Sequence, residues 1–367
     1  MARLKDVAKA AGVSIATVSN VLNGTKAATP EVHQRVLDAI ATLDYRPNLH
    51  ARSLRTGQSR TLGVVVPDLT NPYFPALVQA IEITARSAGY ALIVMDAGND
   101  AEREAEALAL LTSYRVAGVV WVPVGEQHIT EWPFPVVTVD RPVPGCDTVV
   151  ADHLQGGTLV AQHAVALGHR RVGLLSGPCS LASAALRREG FLHAATGLLD
   201  LAWEYEVPFS SELPPGVTAR LTEPGCSLVV CANDAVAVGV LRAVRAAGLR
   251  VPEELSVIGF DDVPWSDFID PALTTVRQPL AALGAGAVAM LHARITRPGL
   301  PLQRQTLPVE LIARRSAVQA PIGPPSVGTV PVGTVPVSTA APVPPAAPAE
   351  PAADPAAEPL PRPGGRS

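Results

Sequence analysis

The sequence predicts an all-α helix-turn-helix head joined to an α/β core of two lobes, with a disordered Pro/Ala-rich tail behind it. Three observations predict this. Two short amphipathic patterns flank a glycine near the amino terminus. From Thr61 strand-like and helix-like runs alternate, and the rhythm restarts after Asp152. From Gln319 onward proline becomes so dense that neither helix nor sheet fits. The boundaries read as 1–46 for the head, 47–60 for a linker, 61–318 for the core and 319–367 for the tail.

The head comes first. Leu4, Val7, Ala8 and Ala11 recur at helical spacing, Gly12 breaks the run, and Ser14 can cap a second helix from Ile15 to about Asn23. Two short helices on a Gly-containing turn describe a helix-turn-helix. Val18, Val21 and Leu22 share the stripe that packs inward. Ala16 and Asn20 point the opposite way, with Ser19 and Asn23 beside them and Thr17 at the flank. That outer face is small, polar and uncharged, which suits base edges in a DNA major groove. The same spacing also fits an ordinary small helical bundle with a polar exposed face. Thr29, Pro30 and Glu31 then open a third helix with Val32, Val36, Ile40 and Leu43 inward.

In the linker, Asn48 can cap a short helix that carries Arg52 and Arg55 around Leu54, and Gly57 ends it. Such a helix has no core of its own. An apolar side chain flanked by arginines fits a minor-groove wedge with phosphate contacts on either side. The alternative is a flexible linker whose Leu54 covers the next domain. Charge favours the first reading. Residues 1–60 hold nine Lys/Arg against four Asp/Glu, a net of +5, so the remainder of a chain at −4 carries −9. A basic head on an acidic body binds a polyanion through the head alone.

In the core, TLGVVVP, ALIVMDA, VAGVVWVP and VVTVDRP read as strands, with helices over PALVQAIEITARSAG and EREAEALALLTSY between them. After Asp152 a helix runs to Gly168. The strands RVGLLSG, SLVVCA and LSVIGF follow, separated by helices over ALRREGFLHAATGLL and AVAVGVLRAVRAAG. This alternation argues for parallel, doubly wound sheets in two lobes with a cleft between them. The tail from Pro321 has fourteen prolines in 47 residues, no aromatic, and GTVPV twice. It has little to bury and should be disordered or extended.

Other classes are disfavoured. No apolar run has membrane-spanning length and the chain goes straight into a helical pattern, so a cytoplasmic protein without a membrane partner is expected. Cys146, Cys179, Cys226 and Cys231 lack CxxC spacing, and the eight histidines lack ligand spacing. No metal, no cofactor and no catalytic residue is expected, since no Gly-rich phosphate loop or nucleophile elbow occurs. A solute-binding protein for transport is the rival class, opposed by the basic head and the missing export signal.

The runs DVAKAAGVSIATVSNVLNG, RPNLHARSLRTGQSRTLGVVVPD and NPYF closely resemble the LacI/GalR family of bacterial transcription regulators. So do ALGHRRVGLLSGP, REGF, CANDAVAVG, PEELSVIGFDD and PALTTVRQPLAALG. The resemblance covers about residues 3–318. It implies a repressor whose operator affinity is controlled by a small molecule held between periplasmic-binding-protein-like lobes. It also implies that the segment 280–313 returns to the first lobe. On DNA it implies that Ser14, Thr17 and Ser19 hold phosphates, that Ile15, Ala16 and Asn20 face bases, and that Leu54 wedges a central step. A leucine-heptad tail of the tetramer-forming kind is absent, so a homodimer on a near-palindromic operator is expected.

Ligands of doubly wound sheets sit beyond the carboxyl ends of strands. Asp68, Asn71, Tyr73, Phe74, Asp140, Asn233, Asp234, Asp261 and Asp262 lie there, with Arg187 on a following helix and Gln278 between lobes. Carboxylates, an Arg fork and amides suit a hydroxyl rim, and Tyr73, Phe74 or Phe209 can cover an apolar face. Asp234 and Asp262 also read as helix caps. By resemblance, Arg187, Asn233, Asp261 and Gln278 match effector-contacting positions, with Asp140, Tyr73 and Phe74 as pocket wall. Purine-responsive members place an arginine and a threonine where this chain has Leu181 and Ser183, which counts against a purine and favours a sugar; a nucleoside or other non-sugar metabolite is the alternative. The segment from Phe209 to Asn233 is about two residues short for the family, and Pro214-Pro215-Gly216 interrupts a helix expected there.

Overall fold

The computed structural model describes residues 2–23, 28–45, 59–125, 132–222 and 225–320. Asn48, Arg52, Leu54 and Arg55 of the linker fall outside these residues, as does the tail from 321.

The head is built as its spacing dictates. Helix α1 (Leu4–Ala11) stops at Gly12, whose φ of +63° lets its N–H return to the Ala8 and Lys9 carbonyls. Helix α2 (Ile15–Asn23) starts at Ser14, whose Oγ accepts the Thr17 N–H at 3.0 Å. Helix α3 (Pro30–Thr42) has Thr29 as N-cap and Pro30 in its first turn. Val7, Ala8, Ala11, Val18, Val36 and Ala39 form the core, flanked by Val21, Leu22, Ile40 and Leu43. Ile15 and Ala16 stay outside; half of the Ile15 surface is exposed.

Beyond residue 60 two parallel sheets form. The first lobe contains β1 (Thr61–Val66), α4 (Tyr73–Ser87), β2 (Ala91–Asp96), α5 (Ala101–Ser113), β3 (Gly118–Trp121), β4 (Val136–Val139) and β5 (Asp147–Ala151). The second contains α6 (His153–Ala166), β6 (Arg171–Ser176), α7 (Ala182–Ala195), β7 (Asp200–Glu206), α8 (Pro215–Arg220), β8 (Leu228–Cys231), α9 (Asp234–Ala246) and β9 (Ser256–Ile258). Strand β10 (Thr275–Arg277) leads to α10 (Leu280–Thr296), β11 (Arg304–Leu307) and β12 (Glu310–Ile312). Among the described residues the sheet orders are β11-β5-β4-β3-β1-β2 and β7-β6-β8-β9.

Among the described residues the chain crosses between lobes three times: from β5 to α6, from β10 to α10, and from β11 to β12. Helix α10 and β11 return to the first lobe, where Leu283, Ala287, Val288 and Leu291 join its core. Strand β12 goes back and pairs antiparallel with β10. The return implied for 280–313 therefore ends at β11. The turn after β9 also spans the lobes, since Val263 and Trp265 pack into the first lobe's cluster.

Strands β5, β7, β10, β11 and β12 escape the pattern reading, the last three being only three or four residues long. Strand β5 (DTVVA) is wholly buried but only five residues long, and β7 is a half-exposed edge strand. Pro214-Pro215-Gly216 starts the six-residue α8, with Pro215 in its first turn.

In the second lobe, α6 and α7 cross with backbones in near contact. A Cβ on Gly157 would be driven into the Arg187 carbonyl oxygen and within 2.7 Å of the Phe191 nitrogen; one on Gly190 would meet the Leu154 carbonyl. The obstacles are backbone, so the crossing must give way. Gly157→Ala should cost about 1–3 kcal/mol of stability, measured by urea unfolding; an unchanged midpoint at constant slope would show that the crossing tolerates a methyl group.

Candidate functional site

Carboxyl ends of strands from both sheets converge on a buried polar cluster. Asp140 follows β4 and Asp261 follows β9, each on a positive-φ backbone (+66° and +116°) that non-glycine residues seldom adopt. Asp261 is tied to β10 by its N–H to the Val276 carbonyl at 2.8 Å. Both carboxylates are about 95% buried.

Arg187, on α7, is the hub. Its Nη2 lies 3.3 Å from Asp261 Oδ1, its Nη1 donates to the Ala232 carbonyl at 2.8 Å, and its Nε donates to His153 Nδ1 at 3.3 Å. The guanidinium lies over the Phe260 ring, 3.8 Å from its centroid, and 5.8 Å from that of Phe209. Gln278 donates from Nε2 to Asp261 Oδ1 at 2.8 Å and accepts the Tyr73 hydroxyl at 3.2 Å. Tyr73 belongs to the first lobe and Asp261 to the second, so this chain of bonds crosses between them.

On the first-lobe side, Asp140 Oδ1 lies 3.2 Å from His153 Nε2, and its Oδ2 lies 3.5 Å from Arg141 Nε. Arg141 Nη1 also donates to the Pro123 and Val124 carbonyls at the end of β3. Glu104, buried on α5, accepts Trp121 Nε1 at 2.8 Å and Val124 N at 2.6 Å, fixing the same corner.

The two carboxyls differ electrostatically. Burial pushes Asp140 up, but the His153 ring beside it and the Arg141 and Arg187 charges prevail and hold it below the usual range. Burial also raises Asp261; the Arg187 charge opposes this, Asp234 and Asp140 add to it, and the carboxyl reaches about 7. Burial, then the neighbouring Arg187 charge, lowers His153, which is therefore neutral. Burial and the two aspartates push Tyr73 well above its ordinary value.

Of the residues expected in the cleft, Tyr73, Asp140, Arg187, Asp261 and Gln278 come together directly, and Phe209 lies beside Arg187. Phe74 packs edge-to-face on Tyr73, its centroid 5.2 Å away, within the first lobe's core. Asn233 is the N-cap of α9, its Oδ1 accepting Val236 N at 2.9 Å.

Three alternatives are corrected. Asp234 is not a cap; it is buried, takes hydrogen bonds from Ser266, Thr275 and Val263, and is raised to about 6 by burial. Asp262 neither caps nor enters the cleft, since Arg277 and Arg314 each hold it at 2.7 Å. Asp68 organises the turn after β1 by accepting from Thr70 and Asn99.

Sequence reasoning missed His153 and Arg141. The signal for Arg141 is its place beside Asp140, an acid–base pair closing the strand run VVTVDRP. His153 required recognition of β5, whose carboxyl end it follows.

In the head, α2 presents Ile15 and Ala16 outward. Ser14 and Thr17 engage each other, their hydroxyls 2.9 Å apart. Ser19 and Asn20 are partly buried on the same helix.

Comparison with known proteins matches this two-part architecture. Residues 3–48 match the family model described as bacterial regulatory proteins, lacI family, and residues 161–317 match a periplasmic binding protein-like domain. The HTH-type transcriptional repressor PurR of Mannheimia succiniciproducens is 35% identical over 329 residues, covering 86% of this chain and 98% of the relative. The lac repressor dimer bound to operator and the anti-inducer ONPF superposes with a TM-score of 0.75 at 30% identity, covering 86% of this chain and 99% of that one. A LacI family regulator from Enterococcus faecalis V583 with bound ribose gives 0.65 at 31% identity, covering 71% and 100%. With its head, its two-lobe core and nearly full-length similarity in agreement, the chain belongs to the LacI family of bacterial transcription regulators.

Proposed function

We propose that this protein is a dimeric repressor whose grip on a near-palindromic operator is set by a small sugar held between the lobes. One observation carries the sugar reading. The cleft brings two carboxylates, two guanidiniums, a phenol and an amide together in near charge balance. Such a set exchanges its mutual hydrogen bonds for those of a neutral polyol, whereas a phosphate or nucleotide calls for surplus positive charge. Asp140 Oδ1, Arg141 Nε and His153 Nε2 are buried without an aligned hydrogen-bond partner among the described residues, which leaves capacity for hydroxyls. Leu181, nearly buried, puts hydrocarbon near the start of α7, and the ribose bound to the Enterococcus relative is a ligand of the right class. The similarity to PurR keeps a purine as the competing outcome.

Tyr73, Asp140, Arg187, Asp261 and Gln278 would meet the sugar, with Phe209 and Phe74 as wall and Asn233 holding the Ala232–Asn233 turn. In the head, Ile15, Ala16 and Asn20 would read bases while Ser14, Thr17 and Ser19 contact phosphates. Asn48, Arg52, Leu54 and Arg55 would complete the contact from the linker. Sugar binding would shift operator affinity through a coupling of roughly 1–3 kcal/mol. The deciding experiment is a thermal-shift screen of pentoses, hexoses, nucleosides and purines, followed by operator binding with and without each hit.

Asn20→Ala should weaken operator binding by about 1–3 kcal/mol and binding to random DNA much less; equal losses in a fluorescence-anisotropy titration would exclude Asn20 as a base reader. Asp261→Asn should abolish the effector response and leave operator affinity intact, and an unaltered effector titration would remove Asp261 from the pocket. Acidity gives a further check. Because folding raises the Asp261 carboxyl, the free protein keeps its proton until pH nears 7, and the ionised form is the stronger acceptor for hydroxyl donors. Effector affinity by calorimetry should rise about tenfold from pH 6 to pH 8, with proton release at pH 6, and Asp261→Asn should lose this slope.

A further inference from the structure

One buried side chain in the cleft touches charged groups from both lobes. His153 is 2% exposed and opens α6 directly after Asp152, whose carboxylate caps the helix through Gln155 N at 2.9 Å. The glycine-packed crossing of α6 and α7 sets its imidazole against Arg187, whose Nε donates to Nδ1 at 3.3 Å. The far edge of the ring reaches the first lobe, with Nε2 3.2 Å from Asp140 Oδ1. Phe260, which carries the Arg187 guanidinium, also lies against the imidazole, at a centroid distance of 6.0 Å. A neutral imidazole that accepts at Nδ1 carries its proton on Nε2. That N–H lies beside Asp140, in a close polar contact that falls short of an aligned hydrogen bond.

We propose that His153 is a positioning residue that ties Arg187 of the second lobe to Asp140 of the first, fixing how the two face each other across the cleft. Its consequence for effector affinity rests on the reading of the cleft as the sugar site; the tie itself does not. The two ring nitrogens do different things, and this separates a positioning role from simple packing. An asparagine places its amide oxygen near the Nδ1 position, keeping the acceptor for Arg187 while falling short of Asp140. A glutamine reaches the Nε2 position, keeping an N–H beside Asp140 while leaving Arg187 Nε without its acceptor.

The test is amide hydrogen exchange by mass spectrometry on the full chain, comparing His153→Asn and His153→Gln with the parent and with no effector added. His153→Asn should speed exchange in residues 138–142 by about fivefold or more and leave 183–188 near the parent rate; His153→Gln should do the reverse. The same pattern in both variants, or no change in either, would overturn the proposal. If a variant fails to fold, long-range nitrogen-15 correlation spectra of the parent decide: the His153 ring should be the Nε2–H tautomer at pH 7, and an Nδ1–H tautomer or an imidazolium would overturn it. Titration of the parent with D-ribose then tests the cleft reading separately, since absent binding counts against ribose as effector and leaves the exchange comparison standing.

Discussion

Burying the Arg187 guanidinium is the constraint to which the cleft answers. A cation about nine-tenths removed from water is costly unless each face and each N–H has a partner. Here the partners come from separate elements: Asp261 from the end of β9, the Ala232 carbonyl from the end of β8, His153 from the start of α6, and the Phe260 face beneath. None of these elements is adjacent in sequence to α7 except through a full strand or helix. The second lobe must therefore be assembled before the guanidinium is satisfied, and losing one partner leaves the others facing an uncompensated charge. The paired glycines Gly157 and Gly190 belong to the same requirement, because a wider α6–α7 spacing would carry Arg187 away from His153.

A second consequence lies in the step from Asp261 to Asp262. Asp261 enters the cleft and takes Gln278; its neighbour Asp262 turns away to Arg277 and Arg314. Arg277 and Gln278 are likewise neighbours on the crossover strand. Two adjacent residues on each segment thus alternate between a cleft contact and an ion pair outside it. A ligand that shifted Asp261, as the proposed function requires, would act on the segments that join the lobes. The left-handed backbone at both aspartates makes that step stiff, since few other conformations keep both side chains in place.

Much of this was legible in the sequence where local rules suffice. Gly12 and Ser14 mark the turn of the head through backbone conformation and capping, and buried runs such as TLGVVV mark central strands. The reading failed where two neighbours compete for one role. Asn233 and Asp234 are both capable caps. Asn233 takes the position because its backbone is extended there, leaving Asp234 in the first helical turn and directed inward. Spacing has no means of separating them. It also passes over β5, where five residues between a Pro-Gly turn and a helix cap give too short a period, and with β5 it loses His153. The return of α10 and β11 to the first lobe came only from family resemblance, because chain crossover depends on long-range packing that no local pattern encodes.

The energies are of a size that permits switching. Among the described residues, one hydrogen bond, from the Tyr73 hydroxyl to Gln278, and one close polar contact, His153 to Asp140, join the lobes within the cleft. A hydrogen bond contributes about 0.5–1.5 kcal/mol net, somewhat more when one partner is charged, so the two together stay within about that order. That matches the roughly 1–3 kcal/mol over which allosteric coupling typically operates. Stronger links would lock the lobes together whatever was bound, and absent ones would leave a ligand to hold them alone. On the sugar reading proposed above, a polyol that replaced these links with its own would need to add only a hydrogen bond or two to decide the balance. Under the proposed function, the three chain crossings would confine motion to a hinge, so that the small difference would be delivered as one change of lobe orientation.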